Sequence, residues 1–178
     1  MPFNSIDAQK SCAAFEKFTA PVIRHALSAK FIQSTERREN NLAKILDFAG
    51  VDGIIVGDDD FINFYSSRVQ FGVNYSAFSI RRTRPSGEPT EFAKLCKAWR
   101  LQKPMPRYHV HTYINKDEQS AIVACAETVE ILKYIDKHRD QWLTAPTGET
   151  FYYVPFADID CKIFSVDATG NVKKISRS

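Results

Sequence analysis

Between two turn sequences, Gly57-Asp58-Asp59-Asp60 and Gly72-Val73-Asn74, lies the run Phe61 to Phe71, whose composition and alternation suit a β-strand. Tyr65, Ser67, Val69 and Phe71 fall on one face, and Phe64, Ser66, Arg68 and Gln70 on the other. A shorter apolar run, Asp52-Gly53-Ile54-Ile55-Val56, precedes it, and a third strand runs from Tyr75 to Arg82. Successive strands joined by tight turns make a sheet the organising element, with the Arg68 strand in a central place. Burying an arginine without a partner is costly. The face carrying Ser66, Arg68 and Gln70 must therefore meet solvent or line a site, and Asp52 is the nearest strand acid able to reach it.

Helical periodicity covers residues 6 to 31, with Ala13, Ala14, Phe18, Val22, Ile23 and Leu27 on the apolar face and Pro21 expected to kink or divide the helix. Ser34 or Thr35 can cap a second helix that runs through Glu36, Glu39, Leu42, Ile45, Leu46 and Phe48 to a stop at Gly50. The stretch Arg84 to Pro89 is a loop, after which Thr90 caps a helix with Glu91 in its first turn and Phe92, Leu95, Cys96 and Trp99 along it. Strands follow at Arg107–Asn115 and Ser120–Cys125. A helix capped by Thr128 carries Ile131, Leu132, Ile135 and Trp142, and short strands are expected at Phe151–Pro155, Cys161–Val166 and Asn171–Ile175.

These elements, in 178 residues with 44% hydrophobic content and no long linker, read as one α+β domain with a mixed central sheet flanked by helices. Within it, residues 1–33 form an N-terminal helical segment, 34–115 a core and 116–178 a strand-helix-strand extension. No apolar run approaches the ~20 residues that cross a bilayer, and the start has no secretion-signal pattern. The four cysteines are widely spaced among apolar neighbours, as reduced core thiols are, so a cytoplasmic protein is expected.

Charge is segregated. Between Arg68 and Arg107 nine Lys/Arg face two acids, a balance of +7 in a chain whose total is +3, leaving −4 for the rest. A basic block inside foldable sequence is the footprint of a phosphate-backbone binder. Arg81, Arg82 and Arg84 gather at the exit of the third strand, and Lys94, Lys97 and Arg100 spread over one broad helix face. These six are the expected nucleic-acid contacts.

The order of a helix with Glu39, a strand with Asp52, a strand with a polar triplet, a third strand and a capped helix resembles the core of the PD-(D/E)XK, or restriction-endonuclease-like, nuclease superfamily over residues 34 to 115. The segment Phe78-Ser79-Ile80-Arg81, with Gly87 and Thr90 to Lys94, also resembles uncharacterised phage and plasmid proteins. The superfamily resemblance implies Glu39 and Asp52 as ligands of Mg²⁺ or Mn²⁺, with Ser66 and Arg68 standing at the acid and lysine positions of the triplet. It implies hydrolysis of DNA phosphodiester bonds, in which Arg68 stabilises charge on the phosphate and Gln70 positions water. The expected partner is double-stranded DNA, engaged by a homodimer or a larger assembly.

His109 and His111 share a face of their strand and can ligate zinc. No third ligand is evident nearby in sequence, so they read as polar side chains on the solvent side of the sheet. No Gly-rich phosphate loop, nucleophile elbow or CxxC is present, which argues against nucleotide-triphosphate hydrolysis, serine esterase and thiol redox chemistry. Two readings from other classes compete with the nuclease: a catalytically inactive nucleic-acid-binding protein or assembly subunit on the same fold, and a phage-type module that binds and inhibits a host protein.

Overall fold

A computed structural model of the chain describes residues 5–34, 46, 49–58, 60–73 and 75–176. The N-terminal helical run is divided near Pro21. Helix α1 (Ser5–Ala14) passes through a π-helical turn, Phe15–Thr19, into α2 (Ala20–Ala26). Proline has no N–H to continue the helical ladder, and a widened turn is one way to absorb that loss.

The helix expected through residue 31 ends sooner. At Ser28 the backbone takes a positive φ of 48°, and the chain enters strand β1 (Ala29–Ser34), which pairs antiparallel with β2 (Gly53–Gly57). Ser34 is thus a strand residue. Its partner lies far along the chain, so local periodicity could not disclose the strand. Most of the second expected helix, Glu39 included, lies outside the described residues.

Strand β3 (Ile62–Phe71) follows β2 as its antiparallel neighbour. The third strand, β4 (Ala77–Thr83), leaves this sheet altogether. After helix α3 (Glu91–Arg100) the chain returns as β5 (Tyr108–Ile114), parallel to β3. A parallel pair needs a crossover connection, and β4 with α3 supplies it. Strand β6 (Ser120–Glu127), helix α4 (Thr128–Lys137) and the short β7 (Leu143–Thr144) come next. Then β8 (Thr150–Pro155), β9 (Cys161–Asp167) and β10 (Val172–Ile175) close the chain. The result is a mixed seven-stranded sheet, β1-β2-β3-β5-β6-β9-β10, beside a three-stranded sheet, β4-β8-β7. Helix α4 stops at Lys137, so Trp142 lies beyond it under the guanidinium of Arg82, 4.1 Å from ring centroid to charge.

The large sheet has two different faces. One carries Ile55, Tyr65, Val110, Ile114, Val123, Cys125 and Phe164 against Phe18, Val22 and Ile23 of the N-terminal helical segment. On the other, Tyr113, Ala124 and Ala126 pack with Phe78, Ile80, Tyr152 and Val154 of the small sheet and with Ile131 and Ile135 of α4. Helix α3 covers the same side of β2 and β3, where Ala98 meets Val51, Ile54 and Phe64. All four cysteines are free, and Cys96 is exposed on α3 rather than buried.

Gly53 lies opposite Tyr65 in the β2–β3 register, and a Cβ there would come closer than 3.0 Å to the Tyr65 ring. Because Tyr65 is locked in the core, Gly53→Ala should cost about 1–3 kcal/mol of overpacking strain. A lowered denaturation midpoint with an unchanged m-value would show it. An unaltered midpoint would mean that the ring moves aside.

Candidate metal centre

The parallel register sets Ser66 opposite His109, Arg68 opposite His111 and Gln70 opposite Tyr113. Because side chains alternate, these six form a two-column polar stripe on the face beneath α3 and the small sheet. On the other side of β5, Ala126 and Ala124 sit opposite His109 and His111 and leave room for the rings. The histidines are not on a solvent face: His109 is 0% exposed and His111 1%. The parallel pairing and the two covering layers bury them, and neither could be read from the Tyr108–Ile114 alternation.

Glu91 completes the group. Thr90 accepts a hydrogen bond from the Ala93 N–H at 3.3 Å, capping α3, and donates its hydroxyl to the Arg82 carbonyl at 3.0 Å. This double attachment fixes the first residue of α3 above β5. The Oε1 atom of Glu91 lies 3.2 Å from Nδ1 of His109, and one ligand atom from each of Glu91, His109 and His111 falls within 4.8 Å of the others. Donors sharing one ion at about 2.0–2.2 Å stand roughly 3–3.5 Å apart, so a small inward movement would close the set. Both ring nitrogens of His109 are buried without hydrogen-bond geometry to any described residue. The Glu–His–His group can hold a metal ion.

The hydrogen bonds around His111 assign its tautomer. Tyr113 donates its hydroxyl to the Ala77 carbonyl, and His111 Nδ1 lies 3.4 Å from the Tyr113 hydroxyl oxygen. The hydroxyl proton is committed to Ala77, so His111 Nδ1 is the donor and Nε2 carries the lone pair. An outer partner of this kind orients a metal-binding imidazole. Burial holds His111 neutral, lowering its pKa to about 3 against the opposing pull of Glu91. Burial also acts to raise the Glu91 pKa, but contact with His109 and the charges of His109, His111 and Arg68 outweigh it and bring the value to about 2.

Arg68 turns inward from the neighbouring column. Its Nη1 donates to the Ser79 carbonyl at 2.8 Å, and its guanidinium lies 5.1 Å from the centroid of Phe151. Burial depresses its pKa, and the fields of Glu91 and, more weakly, Glu149 oppose that shift. Asp52, expected to meet Arg68, instead accepts hydrogen bonds from Ser66 Oγ at 2.9 Å and the Ser67 N–H at 2.7 Å. It closes the Ser66 end of the stripe, while Arg68 and Gln70 lie further along. Gln70 Oε1 is buried without a hydrogen bond among the described residues.

The basic block divides. Arg81 pairs with Glu149 at 3.0 Å, Arg82 stacks on Trp142, and Arg84 is half-buried. Lys97 and Arg100 are exposed on the outer side of α3, where Lys94 is half-buried. The sequence alone offers His109 and His111 without their third ligand and presents Glu91 only as a helix-start charge. The available signal was a His-x-His strand following a helix with an acid at its first position. Comparison of the chain with protein-family models, curated proteins and solved structures returns no match. Among the described residues no helix is long and apolar enough to cross a membrane.

Proposed function

We propose that the protein is a metal-dependent hydrolase of nucleic-acid phosphodiester bonds, a nuclease whose ion is held by Glu91, His109 and His111. The observation that carries this reading is the convergence of those three side chains beside the inward-facing Arg68. Three protein ligands leave coordination positions open, the arrangement of catalytic rather than structural sites. Two imidazoles and one carboxylate suit Zn²⁺ or Fe²⁺, with Mn²⁺ behind them, better than Mg²⁺, which prefers oxygen ligands. A divalent ion held by Glu91, His109 and His111 would supply hydroxide near neutral pH and polarise a phosphate oxygen. Arg68, adjacent to His111 in the register, stabilises charge developing on the phosphate. Gln70, one step further along the stripe, offers its buried amide oxygen to orient water.

Hydrolysis of bis(p-nitrophenyl) phosphate and of plasmid DNA, with Zn²⁺ or Mn²⁺ and with chelator, tests the reading. Metal-dependent turnover should be abolished in Glu91→Gln and fall about 10²–10³-fold in Arg68→Ala. Full activity in Glu91→Gln with loss in Asp52→Ala would move the ion to the acid pair Glu39 and Asp52. No turnover with any metal would overturn the hydrolase. The second reading, a binder without chemistry, draws support from Lys97 and Arg100, exposed on α3 with Trp99 (69% exposed) nearby. Salt-sensitive retention of DNA without cleavage would favour it.

A further inference from the structure

Residues 92–116 contain no acid, and they carry Lys94, Lys97, Arg100, Lys103, Arg107 and Lys116. Contacts within the fold account for several cations of the basic block. Arg81 and Arg107 pair with Glu149 and Glu127 at 3.0 and 3.4 Å, and Arg82 covers the ring of Trp142. Arg100 and Lys103 are exposed with no ion pair among the described residues, and Lys97 is exposed on the same helix. The end of α3 is a Schellman turn, which fixes the path of the chain here. With Gln102 at a φ of 51°, its N–H donates to the Trp99 carbonyl at 3.1 Å and the Lys103 N–H to the Ala98 carbonyl at 2.9 Å. Cations near a helix C-terminus complement its dipole. That accounts for the charges but not for the aromatic ring between them.

Trp99 is 69% exposed. The other tryptophan of the chain, Trp142, lies under Arg82, whereas no described ring or cation stacks on Trp99. An open aromatic face beside cations is how proteins hold nucleic-acid strands without reading sequence, bases on the ring and phosphates on the charges. A lipid surface would call for a continuous apolar face along the helix. Leu101, 46% exposed, is the nearest exposed large apolar residue in sequence. At about 100° per residue, two positions apart, it points to a different side from Trp99. A duplex presents phosphates, but its bases are already stacked on one another. A single strand uses both the ring and the charges.

We infer that the outer face of α3 and its closing turn bind single-stranded nucleic acid, with a base on Trp99 and phosphates on Lys97, Arg100 and Lys103. The inference rests on the nucleic-acid reading and deepens it by naming the surface and the strandedness. It does not need the metal ion, so the test is run in chelator. Fluorescence anisotropy of a labelled oligothymidylate and of a blunt hairpin duplex of equal length, at several salt concentrations, measures both affinity and charge contacts. Trp99→Ala should weaken single-strand binding about 5- to 150-fold, the range of one lost base stack, and Trp99→Phe should recover part of it. The hairpin should bind at least about 5-fold more weakly than the single strand. Replacing Arg100 and Lys103 together by Gln should make the log–log salt slope shallower by about 1.4, at about 0.7 per lost contact. All three side chains replaced are exposed, so the denaturation midpoint should not move. Equal affinity for the hairpin, an inert Trp99→Ala or an unchanged salt slope would each overturn the inference. Capture by phosphatidylserine vesicles without binding of the oligonucleotide would overturn it and give the face to a lipid surface. Single-strand binding by a protein that hydrolyses no bis(p-nitrophenyl) phosphate with any metal would keep it and remove the hydrolase. Turnover of that diester by a protein that does not bind the oligonucleotide would do the reverse.

Discussion

Zinc binding is expected to be lost in both His109→Ala and His111→Ala and to weaken about 10–100-fold in Tyr113→Phe. The alanine variants each remove one of three ligands, and two ligands do not hold a divalent ion tightly against water. Tyr113→Phe acts at one remove. It keeps the ring that packs in the core but deletes the oxygen that accepts from His111 Nδ1. The imidazole then loses the partner that fixes its tautomer and orientation. Competition against a fluorescent chelator measures the affinities, and thermal shift reads them independently. At a free zinc concentration of 100 times its Kd the wild type should gain about 2.7 kcal/mol, while the alanine variants gain almost nothing. Equal affinities for Tyr113→Phe and wild type would mean that another group sets the His111 tautomer.

The second large effect is a loss of stability in acid. His111 falls from an ordinary 6.5 to about 3 in the fold, and Glu91 from 4.5 to about 2. For both groups the unfolded chain binds protons at a higher pH than the folded one does. Stability therefore rises with pH across these windows and is lost as pH falls, first through His111 below about 6.5 and then also through Glu91 below about 4.5. One proton taken up on unfolding gives a slope of about 1.4 kcal/mol per pH unit. Denaturant midpoints of the metal-free protein at pH 7.5, 6.0 and 5.0 should fall steadily, and His111→Gln should flatten that part of the curve. A wild-type midpoint that is level from pH 7.5 to 5.0 would show that His111 is protonated in the fold or open to water.

What was legible in the chain was legible for local reasons. The Phe61–Phe71 alternation survives as β3, and Ser66, Arg68 and Gln70 do share one face, because strand geometry is set by neighbouring residues. The Thr90 cap is real, since it depends on the contact of one hydroxyl with an N–H three residues away. Strand β1 and the departure of β4 from the main sheet were not legible. Each is defined by a partner far along the chain, β2 for one and β8 for the other.

The sequence by itself determined an α+β chain with a central strand bearing an arginine in a polar stripe, a basic middle and a histidine pair on one strand. Those properties follow from periodicity, turn chemistry and charge, all of which are local. Only the tertiary structure decided which acid serves that arginine and those histidines. The crossover through α3 makes β3 and β5 parallel neighbours and sets the capped start of the helix over them, so that Glu91 meets the histidines while Asp52 stays at the Ser66 end of the stripe. The meeting depends on Thr90 being tied to β4, on a parallel register and on two alanines leaving space. Such contacts between distant segments have no signature in the spacing of the residues that make them.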